Sequence, residues 1–165
     1  MNYFFKIMDT VAQYHVRHFT DEMILDKAST ILQSKLNSRD VMDRPSTVKT
    51  FLKAKLSHRK NEHFVVLFLN NKHHLICYEE VFHGTVDGSS VHVRPIAQKC
   101  LEYNAAAIII AHNHPSGVET PSDADNKITR HVIKSLAVFD VRVLDHFIVA
   151  DNQCYSFAEH RCCGL

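Results

Sequence analysis

Apolar positions along this chain change their period midway. Leu25, Ala28, Ile31, Leu32 and Leu36 recur at three- and four-residue intervals, the spacing of one helix face. Asn37-Ser38-Arg39-Asp40 reads as a break. Val48, Phe51, Leu52 and Leu56 then restore the helical spacing, with Ser46 after Pro45 expected as the N-cap. From Glu62 the period shortens. Phe64-Val65-Val66-Leu67-Phe68-Leu69 predicts a strand, Asn70-Asn71-Lys72 a turn, and His74 to Phe82 a returning strand, together a hairpin. Gly84-Thr85-Val86-Asp87-Gly88 reads as loop or short strand, and Ile96, Cys100 and Leu101 predict a helix ending near Asn104. Ala105 to Ala111 is apolar on both faces, as a fully buried strand is. Ile128, Val132 and Leu136 form the inner stripe of a helix from Ser122 to about Phe139. Val141 to Leu144 with His146 to Ala150 predict a further strand, and Gln153 to Phe157 a last short one.

Helices and strands so ordered predict a mixed sheet flanked by helices, α/β or α+β in class. A length of 165 residues allows one domain, divided here into an N-terminal arm and helix over 1–45 and the main domain over 46–165. The first 22 or so residues show no clean period. No apolar run approaches the roughly 18 residues of a membrane span. Met1-Asn2-Tyr3-Phe4-Phe5-Lys6 does not open a secretory signal. The five cysteines are odd in number and form no CxxC pair, so reduced thiols and a cytoplasmic location are expected. A formal net charge of +1 makes no electrostatic demand for a nucleic-acid partner. The most basic stretch, Lys53 to Lys60, reads as the solvated face and tail of a helix.

The chemistry is concentrated where the buried strand ends. His112-Asn113-His114-Pro115-Ser116-Gly117 is followed by Pro121-Ser122-Asp123-Ala124-Asp125. Strand alternation points His112 and His114 the same way. A helix starting at Ser122 carries Asp125 one turn in, and can bring it back over the strand end. Two nitrogens and a carboxylate oxygen make a three-ligand zinc set with a fourth position for water, a pattern that suits hydrolysis. Such hydrolysis also needs a base for the water proton. Glu119 and Asp123 lie near in sequence, but Glu62 is the better placed if its strand neighbours the histidine strand. Ser122 can donate a hydrogen bond to an oxyanion. Two plainer readings compete: Ser122-x-x-Asp125 also spells a capping box, and a lone His-x-His is weak. Asp145 and His146 either support the site or simply belong to a strand.

His112-x-His114-x7-Ser122-x2-Asp125 resembles the JAMM (MPN+) metal motif. The run from His112 to Gly117 with Thr120-Pro121-Ser122 resembles the RadC-like branch of the JAB family. The likeness extends from about Glu62 to His160 through Val66-Leu67-Phe68-Leu69-Asn70, Phe82-x-Gly84-Thr85, Ala105-Ala106-Ala107, Asp145-His146-x-Ile148-Val149 and Ser156-Phe157-Ala158-Glu159-His160. It implies the JAB/MPN fold, a curved mixed sheet with helices on either side, similar to cytidine deaminases. It implies Zn2+ held by His112, His114 and Asp125, with Ser122 supporting an oxyanion and Glu62 as acid and base. The expected activity is that of a metallopeptidase or isopeptidase on a protein or peptide substrate. The alternatives are a DNA repair or recombination accessory protein and a non-catalytic zinc-binding scaffold. The branch carries His-Pro-Arg-Glu where this chain has His92-Val93-Arg94-Pro95. Residues 1–60 contain no Gly-rich hairpin, so a short form without the branch's helix-hairpin-helix module is expected, and DNA association rests on the family label alone. Nothing in the sequence sets the oligomeric state.

Overall fold

The computed structural model describes residues 20–36, 42, 44–84 and 91–165. The expected arm up to residue 19, the break at 37–40 and the segment 85–88 lie outside them. In chain order the elements are α1 (Asp21–Leu36), α2 (Pro45–Leu56), β1 (His63–Leu69), β2 (Leu75–His83), α3 (Val93–Glu102), β3 (Ala107–Asn113), α4 (Asp123–Ala137), β4 (Arg142–Ala150) and β5 (Gln153–Ser156). The strands form one sheet in the order β2-β1-β3-β4-β5. β1 is antiparallel to both β2 and β3, β3 is parallel to β4, and β5 returns antiparallel on β4. The expected mixed sheet flanked by helices is what forms.

Alternation along the central strands builds a core on each side of the sheet. Val65, Leu67, Leu69, Ile109, Ala111, Phe147 and Val149 meet Val48, Phe51, Leu52 and Leu56 of α2. Phe64, Val66, Phe68, Ile108 and Ile110 meet Ile96 and Cys100 of α3 and Ile128, Val132 and Leu136 of α4. Each Val, Leu, Ile or Phe among them contributes about 1.5–3 kcal/mol by leaving water. β1 and β3 are apolar on both faces because both faces are covered.

The structure moves several expected boundaries. α2 begins at Pro45, with Arg44 in place of Ser46 at the N-cap position and without a side-chain cap. A proline at the first helical position loses no bond, because that N–H has no acceptor within the helix. Pro95 likewise sits in the first turn of α3, which starts after His92, so the shifted proline is accommodated. The histidine strand runs two residues later than the apolar run suggests, so His112 and Asn113 lie within β3. On α1, Leu25 and Ala28 are half-buried and Ser29 beside them is buried, so the expected face turns inward, while Ile31 at its edge is exposed. None of the described helices is long and apolar enough to cross a membrane.

The crossover from β3 through α4 to β4 decides where the chemistry lies. Parallel neighbours need a connection that carries the chain back, here a helix. The carboxyl end of β3 and the amino end of α4 are joined by the short 114–122 loop. Crevices at the carboxyl ends of such strands are where open α/β sheets bind ligands.

Candidate metal centre

β3 delivers His112 to the α4 side of the sheet, on the same face as Ile108 and Ile110. Phe64 lies opposite it on β1, and the two rings stack at 6.1 Å with 11° between their planes. His114 leaves the strand just beyond. The Nε2 atoms of His112 and His114 come within 3.0 Å of each other.

Hydrogen bonds to the far side of each ring define which nitrogens carry protons. His114 Nδ1 lies 2.6 Å from the carbonyl of Val118. A carbonyl only accepts, so Nδ1 carries the hydrogen, and the neutral ring presents a lone pair at Nε2. The chain behind His112 is longer. The Thr129 hydroxyl donates to the carbonyl of Asp125 at 2.5 Å, which uses its one hydrogen, and it meets His146 Nδ1 at 2.6 Å. His146 Nδ1 therefore donates to Thr129. His146 is fully buried, and burial, then the neighbouring His112, push its pKa well below the ordinary imidazole value, so it is neutral. Its Nε2 accepts from His112 Nδ1 at 2.9 Å. With its hydrogen on Nδ1, that tautomer of His112 leaves a lone pair at Nε2, facing His114.

Asp125 completes the convergence. Its Oδ1 lies 3.0 Å from His112 Nε2, and its Oδ2 lies 3.5 Å from His114 Nε2. Burial raises its pKa, but the proximity of the His112 and His114 rings and the hydrogen bond from Ser122 outweigh that and hold it well below the usual carboxylate range. The Asp125 carboxylate favours a protonated His114 ring and so raises the pKa of His114, against the opposing effect of burial. Two imidazole lone pairs and a carboxylate this close repel unless positive charge, a proton or a cation, lies among them. Around an ion bound at about 2.0–2.1 Å, tetrahedral ligands lie about 3.3 Å apart. The donor set and its spacing thus fit a divalent transition ion.

The capping-box reading of Ser122 and Asp125 is also realised. Ser122 Oγ accepts from the Asp125 N–H at 3.1 Å, while Asp125 Oδ2 accepts from the Ser122 N–H at 2.7 Å and the Ser122 hydroxyl at 2.6 Å. The cap and the ligand cluster are compatible because Oδ2 closes the cap while Oδ1 faces His112. The Ser122 hydroxyl hydrogen is aimed at Asp125 in this geometry.

Glu62 lies just before β1, and its Oε1 is 4.0 Å from His112 Nε2. Glu62, His112 and His114 offer ligand atoms that all fall within 4.8 Å of one another. The His112 and Asp125 side chains are 1% and 4% exposed against 17% for both His114 and Glu62, so the cluster opens towards solvent on the His114 and Glu62 side.

Three contributors escaped the sequence reading. Asn113, between the two histidines, points to the opposite face. Its Oδ1 accepts the His63 N–H at 2.8 Å, and its Nδ2 donates to the carbonyls of Arg59 at 3.2 Å and Asn61 at 3.0 Å. That clamps the segment bearing Glu62. Thr129 and the Val118 carbonyl orient the rings, and neither carries a residue-type signal for that task. Of the pair left open, His146 touches His112, whereas Asp145 accepts from the His146 and Ala158 N–H groups and the Ser156 hydroxyl, tying β4 to the turn after β5. All five cysteines are free thiols, and burial lifts Cys100 to about 11 and Cys154 to about 12, which keeps both protonated.

Comparison with known sequences places this geometry in a family. The chain is 42% identical over 144 residues to a UPF0758 protein of Cellvibrio japonicus, covering 87% of this chain and 64% of the relative. It is 44% identical over 138 residues to one of Vibrio parahaemolyticus, covering 84% and 62%. It is 48% identical over 128 residues to one of Nitrosococcus oceani, covering 78% and 57%. The chain therefore spans about three fifths of the length of these relatives. Residues 42–162, which carry the sheet, the histidine pair and Asp125, match the RadC-like JAB domain, and the chain belongs to that family.

Proposed function

We propose that this domain is a zinc-dependent amide hydrolase, acting as a metallopeptidase or isopeptidase on a protein or peptide. The observation that carries this reading is the mutual approach of His112 Nε2 and His114 Nε2 to 3.0 Å, each ring bonded through Nδ1 so that a lone pair faces inward. With Asp125 they form the N,N,O set that suits zinc with one position open. Bound there, zinc supplies Lewis acidity, polarising a carbonyl and making a water proton removable near pH 7.

The other steps belong to the chain. Glu62 Oε1 removes the proton from the attacking water and passes it to the departing amine nitrogen. Asn113 holds the backbone that carries Glu62. Ser122 turns its hydroxyl from Asp125 Oδ2 to the developing oxyanion, while the Ser122 N–H, at 2.7 Å, keeps the carboxylate in place. Substrate approaches from the solvent-open side formed by His114 and Glu62.

The test is to incubate the zinc-loaded protein with a degenerate peptide library and with peptides joined through a lysine side-chain amide, reading products by mass spectrometry. We expect cleavage by the wild type and a loss of roughly 10²–10⁴-fold in Glu62→Gln, with zinc retained. No cleavage of either class, or undiminished cleavage by Glu62→Gln, overturns the reading.

A further inference from the structure

We propose that His63, Glu80 and His83 form a second site for a divalent transition ion, on the opposite face of the sheet from the first. His63 and His83 are cross-strand partners at the start of β1 and the end of β2. Their Nδ1 atoms approach to 3.0 Å. Glu80 Oε2 lies 3.2 Å from His63 Nδ1 and 3.8 Å from His83 Nδ1. All three separations bracket the roughly 3.3 Å expected between ligands around an ion bound at about 2.0–2.1 Å. Two imidazoles and one carboxylate favour zinc, nickel or copper over calcium or magnesium.

An irregularity in the hairpin makes the cluster. In an unbroken ladder Val81 would face Val65, and Glu80 would point away from His83. The register shifts between Phe64 and Val65, so Val65 pairs with Glu80. The bulge turns Val81 towards the α3 and α4 core and brings Glu80 onto the face of His63 and His83. Bulges commonly re-aim a side chain in this way.

The carboxylate is held from behind. Arg59 Nη2 donates to Glu80 Oε1 at 3.0 Å and the Tyr78 hydroxyl at 3.5 Å, leaving Oε2 to the histidines. Such outer contacts orient metal ligands. The Arg59 guanidinium also offsets the carboxylate charge, so this site is the weaker of the two. A cation here ties the start of β1, one residue after Glu62, to the end of β2.

The experiment is equilibrium dialysis of the full chain against zinc, with bound metal counted by mass spectrometry and folding checked by circular dichroism. The wild type is expected to hold two ions per chain and His83→Ala one. The His83 side chain is 63% exposed, so its removal leaves the fold intact. His63→Ala and Glu80→Gln should repeat the loss, while His112→Ala removes the other ion. A wild type holding one ion that His83→Ala retains overturns the proposal, as does a His83→Ala protein that still holds two. A single wild-type ion lost in His83→Ala but kept in His112→Ala supports the second site and refutes zinc at the first.

Discussion

The His63 backbone N–H donates to Asn113 Oδ1 at 2.8 Å, joining the residue after Glu62 to the residue between the two site histidines. The amide's other end donates to the carbonyls of Arg59 and Asn61. One side chain thereby sets the distance between the Glu62 segment and β3. Asn113→Ala leaves three backbone groups without their partner. At about 1–3 kcal/mol for an unsatisfied buried group, we expect a loss of roughly 2 kcal/mol in urea unfolding. Zinc content should stay near that of the wild type, because neither ligand ring is touched, while hydrolysis falls. An Asn113→Ala protein with unchanged stability and turnover would remove Asn113 from the positioning machinery.

His146 acts on His112 through a proton. Replacing it with phenylalanine preserves the stacking on Phe157, whose ring lies 4.7 Å away, but removes the acceptor for His112 Nδ1. His112 is then free to carry its hydrogen on Nε2, where it opposes a cation. Loss of an outer partner typically costs 10–100-fold in metal affinity. Competition with a zinc-binding dye should read a weakening in that range for His146→Phe. Thr129→Val should show a smaller effect in the same direction. Wild-type zinc affinity in His146→Phe is the contrary result.

Asp145 carries a pH dependence of stability with a definite sign. Burial raises its pKa above the ordinary value of 3.8, although Ser156 and the Ala158 and His146 N–H groups pull the other way. A pKa raised in the folded state means protons favour folding. That contribution is complete below the unfolded pKa and is lost as pH rises through the folded one. Asp145→Asn keeps an acceptor for the two N–H groups and has no charge to bury. The stability of the wild type relative to Asp145→Asn should therefore fall as pH rises from about 3 through the acidic range, then level off. Urea melts of both proteins across that interval give the difference directly. A difference that grows with pH would contradict the sign.

Gly117 shapes the loop that holds His114. Its φ is +76°, and a Cβ there would lie 2.7 Å from Asp151 Oδ2. Its N–H donates to the His114 carbonyl at 3.1 Å. Gly117→Ala meets both the left-handed conformation and the Asp151 carboxylate. We expect a cost of about 1–3 kcal/mol, greater for Gly117→Val. The Val118 carbonyl that orients His114 follows directly, so zinc affinity should fall with stability. Calorimetry and dye competition on Gly117→Ala measure the two losses together; equality with the wild type in both refutes the strain.

How much was readable from the chain differs by element. The β1 and β3 runs and the α4 stripe were legible because each pattern repeats within a few residues. The Ser122 to Asp125 spacing was equally legible, and it describes a cap and an approach to His112 at once because a carboxylate has two oxygens. The exposure of Ile31 was not, because whether a side chain at the edge of a helical stripe is covered depends on the surface the helix meets. Glu62 lay between: a base at that position was expected only if β1 adjoined β3, a condition the sheet order meets.

By itself, then, the sequence determined the alternating elements, the family and the compact histidine–aspartate motif, all of which rest on local period and spacing. Only the tertiary structure decided that Asn113 clamps the Glu62 segment, that His146 and Thr129 set the His112 tautomer, and that a bulge gathers His63, Glu80 and His83. Those relations run between strands and across a helix. They depend on register and on which hydrogen each polar atom has left to give, and neither is written in the order of residues along one segment.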